Sequence, residues 1–333
     1  MKLTIAIPTY NRNEILKNNL LLLLPQLTND CRLIIIDNCS DIPVEEALKD
    51  MIGKYKAANI QIIRNRYNIG LTGNILRCFE LCDDPWLWVL GDDDHVTEGA
   101  IQQILSDIRR YENFHFINYA WDELSFLRKE NIVTNGIDNF IDSFETLGIV
   151  LFISAGIYNT KKITEYLSFG NFFQTTYAPH LAMLFLSIGE HGSCLLSNKK
   201  IVVNKGFDTP EELRWDQIFI YQITILLRLP LGPSAIYKLK KKIEQLTQVW
   251  TIYHLIFTLV QIGCVEKSTK RTSTLYDEFV RGFFYLDKRL ISRFITVFGY
   301  FIINHPKIFK PLLGYLYRLK RGKDFQPIRN LRI

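Results

Sequence analysis

No thiolate framework is written into this chain. Its six cysteines (Cys31, Cys39, Cys78, Cys82, Cys194 and Cys264) are scattered over 333 residues. Cys78 and Cys82 have helical spacing, but no second close pair completes a zinc site. Reduced, mostly buried thiols in a cytosolic protein are the expectation. No basic, apolar, small-residue leader precedes the first strand pattern, Leu3-Thr4-Ile5-Ala6-Ile7, which fits the same compartment. A membrane span is missing too. The uncharged run 245–265 carries Gln248, Thr251, His254, Thr258 and Gln261 around a helix. A span needs about 20 predominantly apolar residues, so this run reads as a buried helix. Neither an internal repeat nor a low-complexity tract is found. With 48% apolar and 22% charged residues, disorder is excluded, and the length allows one large domain or two ordinary ones.

Charge is unevenly placed. From Gln217 onward there are 20 basic and 6 acidic residues, a balance of +14, whereas the part before it balances at −8. An acidic first part and a basic, aromatic-rich second part suggest two jobs. The acidic part argues against nucleic acid as a partner. The anionic inner face of a membrane suits the basic part better, because Phe, Tyr and Leu are interleaved with the charges. Lys238, Lys240, Lys241 and Lys242 form one cluster; Lys307, Lys310, Arg318, Lys320, Arg321 and Lys323 form another. The expected division is 1–215 as a catalytic domain and 216–333 as a mostly helical basic region.

The first 110 or so residues alternate between period-2 and period-3.6 patterns. Strands are expected at 3–8, 32–36, 60–64 and 86–90. Helices are expected at 14–24, 44–55, 72–82 (with Thr72 as N-cap) and 97–111, and a further strand at 114–119. Arg32-Leu33-Ile34-Ile35-Ile36 is β-branched and apolar on both faces, as a buried parallel strand is. The alternation predicts an α/β fold with a doubly wound, mostly parallel sheet and helices on both faces. Ligands of such sheets sit beyond the carboxyl ends of the strands. The polar segments fall there: Thr9-Tyr10-Asn11-Arg12, Asp37-Asn38-Cys39-Ser40-Asp41, 65–70 and 91–95.

Asp92-Asp93-Asp94 carries the strongest chemical signal. Three adjacent carboxylates repel, and a hard divalent cation, Mn²⁺ or Mg²⁺, removes that repulsion while also binding substrate phosphates. In an extended loop Asp92 and Asp94 share one face. Gly91 allows a tight turn after the strand. The bland reading is a solvated acidic loop or a run at the start of the next helix. Asp37, after a buried strand, can accept from a nucleotide base edge or else cap the helix after Pro43, where Asp41 is the better capper. Asn68-Ile69-Gly70 and Gly73-Asn74 put small and amide groups near a helix N-terminus, which favours phosphate.

Together these segments resemble glycosyltransferase family 2, a GT-A-fold family. Its members open with a strand and a Pro-Thr/Ser-Tyr/Phe-Asn segment, here Pro8-Thr9-Tyr10-Asn11. An Asp-Asp/Asn-x-Ser signature follows, here Asp37-Asn38-Cys39-Ser40, then Asn-x-Gly, here Asn68-Ile69-Gly70. The DxD element lies in Leu90-Gly91-Asp92-Asp93-Asp94, a form that resembles the branch building bacterial surface polysaccharides. The resemblance implies a nucleotide-sugar site of Pro8, Thr9, Tyr10, Arg12, Asp37, Asn68, Gly70, Asn74, Asp92 and Asp93. Thr9, Tyr10 and Asp37 would meet the base, Asn74 would lie near the diphosphate, and Asp92 would touch the ribose or sugar. Asp94, with Asp92, would bind Mn²⁺ or Mg²⁺.

The chain also departs from that family. Its usual base, an Asp or Glu in a Glu-Asp-like segment, has no counterpart: the region reads Tyr177-Ala178-Pro179-His180-Leu181. His180 is one candidate base, since its ordinary pKa suits proton abstraction near neutrality; packing on a helix over 179–187 is its other reading. Asp122 and Glu123, after a strand, compete for the role. The Gln-x-x-Arg-Trp element of processive synthases is reduced to the Arg-Trp of Glu212-Leu213-Arg214-Trp215, which implies single addition. The expected reaction is inverting transfer from a nucleotide-diphosphate sugar, UDP first, to a hydroxyl of a glycan or lipid-linked acceptor. It would take place in the cytoplasm, peripherally on the inner face of the cell membrane. A nucleotidyltransferase is disfavoured because no Gly-rich basic loop follows the first strand; a non-catalytic membrane-surface protein is the other alternative.

Overall fold

The computed structural model describes residues 2–55, 59–121, 128–203 and 222–247, with short pieces between 298 and 311. Two compact units are formed, Met1–Thr209 with Arg228–Leu239, and Pro210–Leu227 with Lys240–Ile333. The boundary expected at 215/216 and the expected helix at 245–265 lie outside the described residues, apart from the first few positions of that helix.

In the first unit, β1 (Leu3–Thr9), β2 (Cys31–Asp37), β3 (Ile60–Arg64) and β4 (Trp86–Val89) alternate with α1 (Asn13–Leu23), α2 (Val44–Ile52) and α3 (Gly70–Glu80). A short β5 (His95–Val96) leads into α4 (Ala100–Arg110). Then follow β6 (Phe116–Ala120), β7 (Ile132–Asn135), α5 (Ile137–Asp142), β8 (Gly156–Asn159), α6 (Leu167–Phe172), α7 (Pro179–Ile188), β9 (Ser193–Lys200) and β10 (Val202–Val203). Finally α8 spans Pro233–Thr247. One sheet has the order β3-β2-β1-β4-β8-β6-β9-β7. Its first four strands are parallel; β8 runs antiparallel to both β4 and β6, and β7 runs antiparallel to β9. The sheet is therefore mixed. Because β4 and β6 both oppose β8, they point the same way and end at the same edge.

Strand periodicity assigns the two faces. Leu3, Ile5 and Ile7 of β1 and Trp86 and Trp88 of β4 pack with Leu16, Leu20 and Leu23 of α1, Val44 and Leu48 of α2, and Ile101, Ile104 and Ile108 of α4. Each such fully buried side chain contributes roughly 1.5–3 kcal/mol. Phe79 of α3 meets Tyr158 of β8 edge-on on the other face. Pro8 is tolerated in a central strand because β1 pairs with β4 only through Ala6, so its missing N–H leaves no ladder bond unmade.

Several boundaries differ from expectation. Thr72 is not an N-cap: α3 starts two residues earlier, at Gly70, with no side-chain cap. Gly70 has φ +79°, a left-handed conformation that a β-carbon disfavours, so the turn into the helix falls on the glycine. The helices expected to run to 24 and 55 end in tighter 3₁₀ turns, Leu24–Gln26 and Gly53–Tyr55. The first basic cluster is used internally. Lys238 bridges Asp142 at 2.6 Å and Asp138 at 3.2 Å, Ser234 bonds Asp138, and Lys240 lies 3.8 Å from Glu244. Lys241 and Lys242 are partnered as well. Of the second cluster, Lys310 and 318–323 lie outside the described residues. Among the described residues no helix is long and apolar enough to cross a membrane.

Candidate active site

The carboxyl ends of β1 and β2 are laced together by short polar side chains. Asn11 stands at φ 54° and Cys39 at φ 67°, left-handed conformations rare outside glycine and held only where the surroundings fix them. The Asn11 N–H donates to Ser40 Oγ at 2.9 Å, its Oδ1 accepts the Asp41 N–H at 2.7 Å, and its Nδ2 donates to Asp41 Oδ2 at 3.1 Å. Tyr10 stands between these loops and solvent, 42% exposed, free to offer its ring to a flat ligand.

Asp37 ends β2 fully buried. Its Oδ1 accepts the Ser40 N–H at 2.8 Å; its Oδ2 accepts Arg64 Nη1 at 2.5 Å and the Val44 N–H at 3.3 Å. Burial pushes this carboxyl up, but the Ser40, Val44 and Arg64 donors outweigh it and hold it below the ordinary value. Asp37, not Asp41, thus caps α2. Asp41 is drawn away by Asn11. Both Asp37 oxygens are occupied by the protein, and they shape the 38–41 loop.

A lattice of four asparagine amides builds the next strand end. Asn65 Nδ2 donates to Asn38 Oδ1 at 3.0 Å and to Asn74 Oδ1 at 2.9 Å. Asn38 Nδ2 donates to Asn68 Oδ1 at 2.8 Å, and Asn68 Oδ1 also accepts the Gly70 N–H at 2.8 Å. Asn74 gives its remaining group to the Ile36 carbonyl at 3.1 Å and is 2% exposed. Its amide is satisfied from within, so Asn74 holds α3 against β2 where the sequence pattern had it near a phosphate. Asn68 and Gly70 remain at the surface.

The aspartates follow β4. They do not form an extended loop: the Asp94 N–H bonds the Gly91 carbonyl at 3.3 Å, closing a tight turn. The turn changes which carboxylates share a partner. Asp92 and Asp93 both receive the Arg12 fork, Nη1 to Asp92 Oδ1 at 2.8 Å and Nη2 to Asp93 Oδ2 at 2.7 Å. Thr9 Oγ1 donates to Asp92 Oδ2 at 2.7 Å. Asp94 turns elsewhere, accepting Ser154 Oγ at 2.5 Å. A β-carbon on Gly91 would strike the Asp94 carboxylate, so glycine leaves that carboxylate where it is. Asn19 Nδ2 holds the Gly91 carbonyl at 3.0 Å. On the far side β5 pairs with β10, fixing the chain that leaves Asp94.

The electrostatics of the turn match a cation. Asp92 and Asp94 are each 4% exposed. Burial pushes Asp92 up to about 6, against the pull of Arg12 and Thr9, and Asp94 up to about 7, against the Ser154 hydroxyl. Among the described residues no basic side chain forms an ion pair with Asp94, and no cluster of three or more metal-ligating side chains converges. A buried carboxylate with no ion-pair partner among the described residues, with one or two oxygens to offer, suits a hard divalent ion that completes its shell with phosphate and water. The residues therefore fit Mn²⁺ or Mg²⁺.

Of the candidate bases, Asp122 lies outside the described residues; it follows β6, whose end shares the edge of β4. His180 is on α7, 2% exposed, edge-on to Tyr158, with neither ring nitrogen hydrogen-bonded. Burial pushes it down to about 4, only weakly opposed by the Leu151 backbone. The structure puts His180 in the core, not with the aspartates. An unfolded chain takes up this proton near 6.5 and the folded one near 4, so stability present above pH 6.5 is lost as pH falls toward 4. The loss is about 3 kcal/mol. His180→Leu should remove that part of the acid sensitivity in pH-dependent melts and keep turnover. A fully folded but inactive His180→Leu would return the base role to His180.

Ser154, Arg64, Asn19 and Asn65 were not singled out by sequence. Arg64 ends the third strand, where a polar residue was readable. Ser154 gave no signal, being 60 residues from its partner.

Residues 4–158 match the family model described as glycosyl transferase family 2. No curated protein matches the chain in sequence. Among solved structures, S. aureus TarS 1-349 in complex with UDP-GlcNAc aligns with TM-score 0.62 at 11% identity, covering 98% of this chain and 93% of that one. The mannosyltransferase PcManGT from Pyrobaculum calidifontis, in complex with GDP-Man and Mn²⁺, aligns with TM-score 0.54 at 9% identity, covering 93% and 87%. The strand-end cleft, its aspartate turn and these likenesses agree. Residues 4–158, a little under half of the chain, match as a glycosyl transferase family 2 domain, the fold is GT-A, and the protein is a glycosyltransferase.

Proposed function

We propose that the enzyme transfers a sugar from a nucleotide-diphosphate donor, UDP-linked as first choice, to a hydroxyl of a glycan or lipid-linked acceptor. Transfer is inverting, metal-dependent and part of bacterial surface-polysaccharide synthesis. The observation that carries this reading is Asp94, a buried carboxylate that forms no ion pair among the described residues, just after the end of β4. UDP-GlcNAc in TarS and GDP-Man with Mn²⁺ in PcManGT support the donor class. Asp94 and Asp92 would hold the ion, which supplies positive charge to the leaving diphosphate. Thr9 and Arg12 keep Asp92 in place; Tyr10 and the 38–41 loop receive the base. Asp122 is taken as the base that removes the acceptor proton, because β6 ends at the cleft edge. Peripheral attachment to an anionic membrane is assigned to the second basic cluster, and is testable by salt-sensitive co-sedimentation with anionic vesicles.

The test is a thermal-shift panel of UDP, GDP, CDP and dTDP with and without Mn²⁺. One nucleotide should raise the melting temperature, and more so with the ion. No shift from any of the four would overturn the donor reading. In calorimetry Asp37→Ala should weaken that nucleotide by about 1–3 kcal/mol. It should also lower the melting temperature, since the Ser40 and Val44 N–H groups and Arg64 lose their shared acceptor. Unchanged affinity would remove the 38–41 loop from the base site.

A further inference from the structure

We propose that Ser154 is a positioning residue of the cation site, its hydroxyl fixing the direction in which Asp94 offers its free oxygen. The proposal deepens the reading above and rests on Asp94 meeting a divalent ion.

Ser154 lies two residues before β8, in a 3₁₀ turn over Ile153–Ala155. Because β8 runs opposite to β4, its first residues stand level with the last residues of β4: Trp88 pairs with Ile157. This brings a residue 60 positions later in the chain against the aspartate turn. Ser154 is fully buried, and its hydroxyl and carbonyl both face the turn or the strand before it. Its Oγ donates to Asp94 Oδ2 at 2.5 Å and accepts the Gly91 N–H at 2.8 Å, and its carbonyl accepts Trp88 Nε1 at 2.8 Å.

Two features separate this from an ordinary core hydroxyl. Gly91 follows the last ladder bond of β4, from the Leu90 N–H to the Ala6 carbonyl, so Ser154 replaces a strand partner there. A backbone tie alone would need only its lone pair. Ser154 also commits its single proton to the carboxylate. A neutral donor orients Asp94 without cancelling its charge, whereas the Arg12 guanidinium both orients and neutralises Asp92 and Asp93. The turn therefore keeps one oriented carboxylate outside its ion pairs. Gly91 works from the opposite side, since any β-carbon there would push Asp94 off Ser154.

The experiment measures Mn²⁺ alone, by the electron paramagnetic resonance signal of the free ion, on the full chain at fixed pH, with melts run in parallel. The variants are Ser154→Ala, Ser154→Cys, Gly91→Ala and Asp94→Asn. Ser154→Ala and Gly91→Ala should weaken Mn²⁺ binding roughly 10- to 100-fold, the usual effect of losing a group that orients a metal ligand. Ser154→Cys, a weaker donor of similar shape, should fall between them and the parent, and Asp94→Asn should bind no better than they do. If Ser154→Ala and Gly91→Ala only melt lower and keep their affinity within twofold, while Asp94→Asn loses it, Ser154 is structural and the positioning role is overturned. If Asp94→Asn keeps its affinity too, the cation reading itself falls. Should Ser154→Ala fail to fold, Ser154→Cys decides, with unchanged affinity counting against the proposal.

Discussion

Asp94→Ala is expected to reduce turnover by about 10³-fold or more. The ion it would hold supplies several kcal/mol to the departing diphosphate, and each 1.4 kcal/mol is a factor of ten. The fold should survive, because Asp94 makes no ion pair among the described residues and its burial opposes ionisation. A melting temperature within a few degrees of the parent, alongside lost activity, is the expected pair of results. The same carboxylate predicts a pH signature. Asp92 and Asp94 titrate near 6 and 7 when folded, above their ordinary value of 3.8. Their contribution to stability is present below about pH 4 and is lost as pH rises through 6 to 7. Mn²⁺ competes with those protons, so it should bind more tightly as pH rises through this window. The gap between melts with and without Mn²⁺ should widen from pH 5 to about 7.5 and then level off. Asp94→Asn should keep only a small, flat gap. Full activity in excess chelator would end the metal-dependent reading.

Arg12→Ala should be the most destabilising single change in the cleft. Removing one partner of a buried ion pair leaves the other charge uncompensated, at a cost of about 3–5 kcal/mol. Here two carboxylates lose their partner at once. The Arg12 side chain is 28% exposed and that of Asp93 17%, so water softens the loss, and about 3 kcal/mol is the expectation. For a unit of this size that lowers the melting temperature by roughly 10 °C. Mn²⁺ should recover part of the drop by supplying charge to the same turn. In an Asp92→Asn background the cost should shrink, because contacting residues couple. A drop of under 2 °C, with or without Mn²⁺, would mean that the Arg12 fork does not hold the turn.

The legible part of this protein was its locally coded half. Strands one to four each carry their own apolar pattern and their own polar cap, so the parallel half of the sheet and the cleft edge followed from residues adjacent in sequence. The roles of side chains within the cleft were less readable, because they depend on which neighbour competes for each donor. Asp41 has the better position to cap α2, yet Asn11, 30 residues away, captures it and Asp37 caps instead. Asn74 has a plausible phosphate position, but Asn65 and the Ile36 carbonyl use both ends of its amide. His180 sits on a helix whose every turn is apolar, and the burial that follows from Leu181, Met183, Leu184 and Phe185 removes it from chemistry. Beyond the strand expected at 114–119, the second half of the sheet was unreadable: β8 opposes β4 and β6, β9 runs parallel to β6 and β7 opposes β9, and no single-segment pattern records who pairs with whom.

The turn also has a kinetic consequence. Its side-chain contacts are all long-range: Thr9 reaches Asp92 across 83 residues, Arg12 reaches it across 80, and Ser154 reaches Asp94 across 60. Closing such loops is slow and is rewarded only once both ends are ordered. The aspartate turn is then among the last features to form and among the first to open. A bound ion would act mainly on escape from the native state, lengthening its lifetime while leaving the refolding rate nearly unchanged. Interrupted refolding would pass through a species with a formed β1–β2–β4 core and no site for the ion.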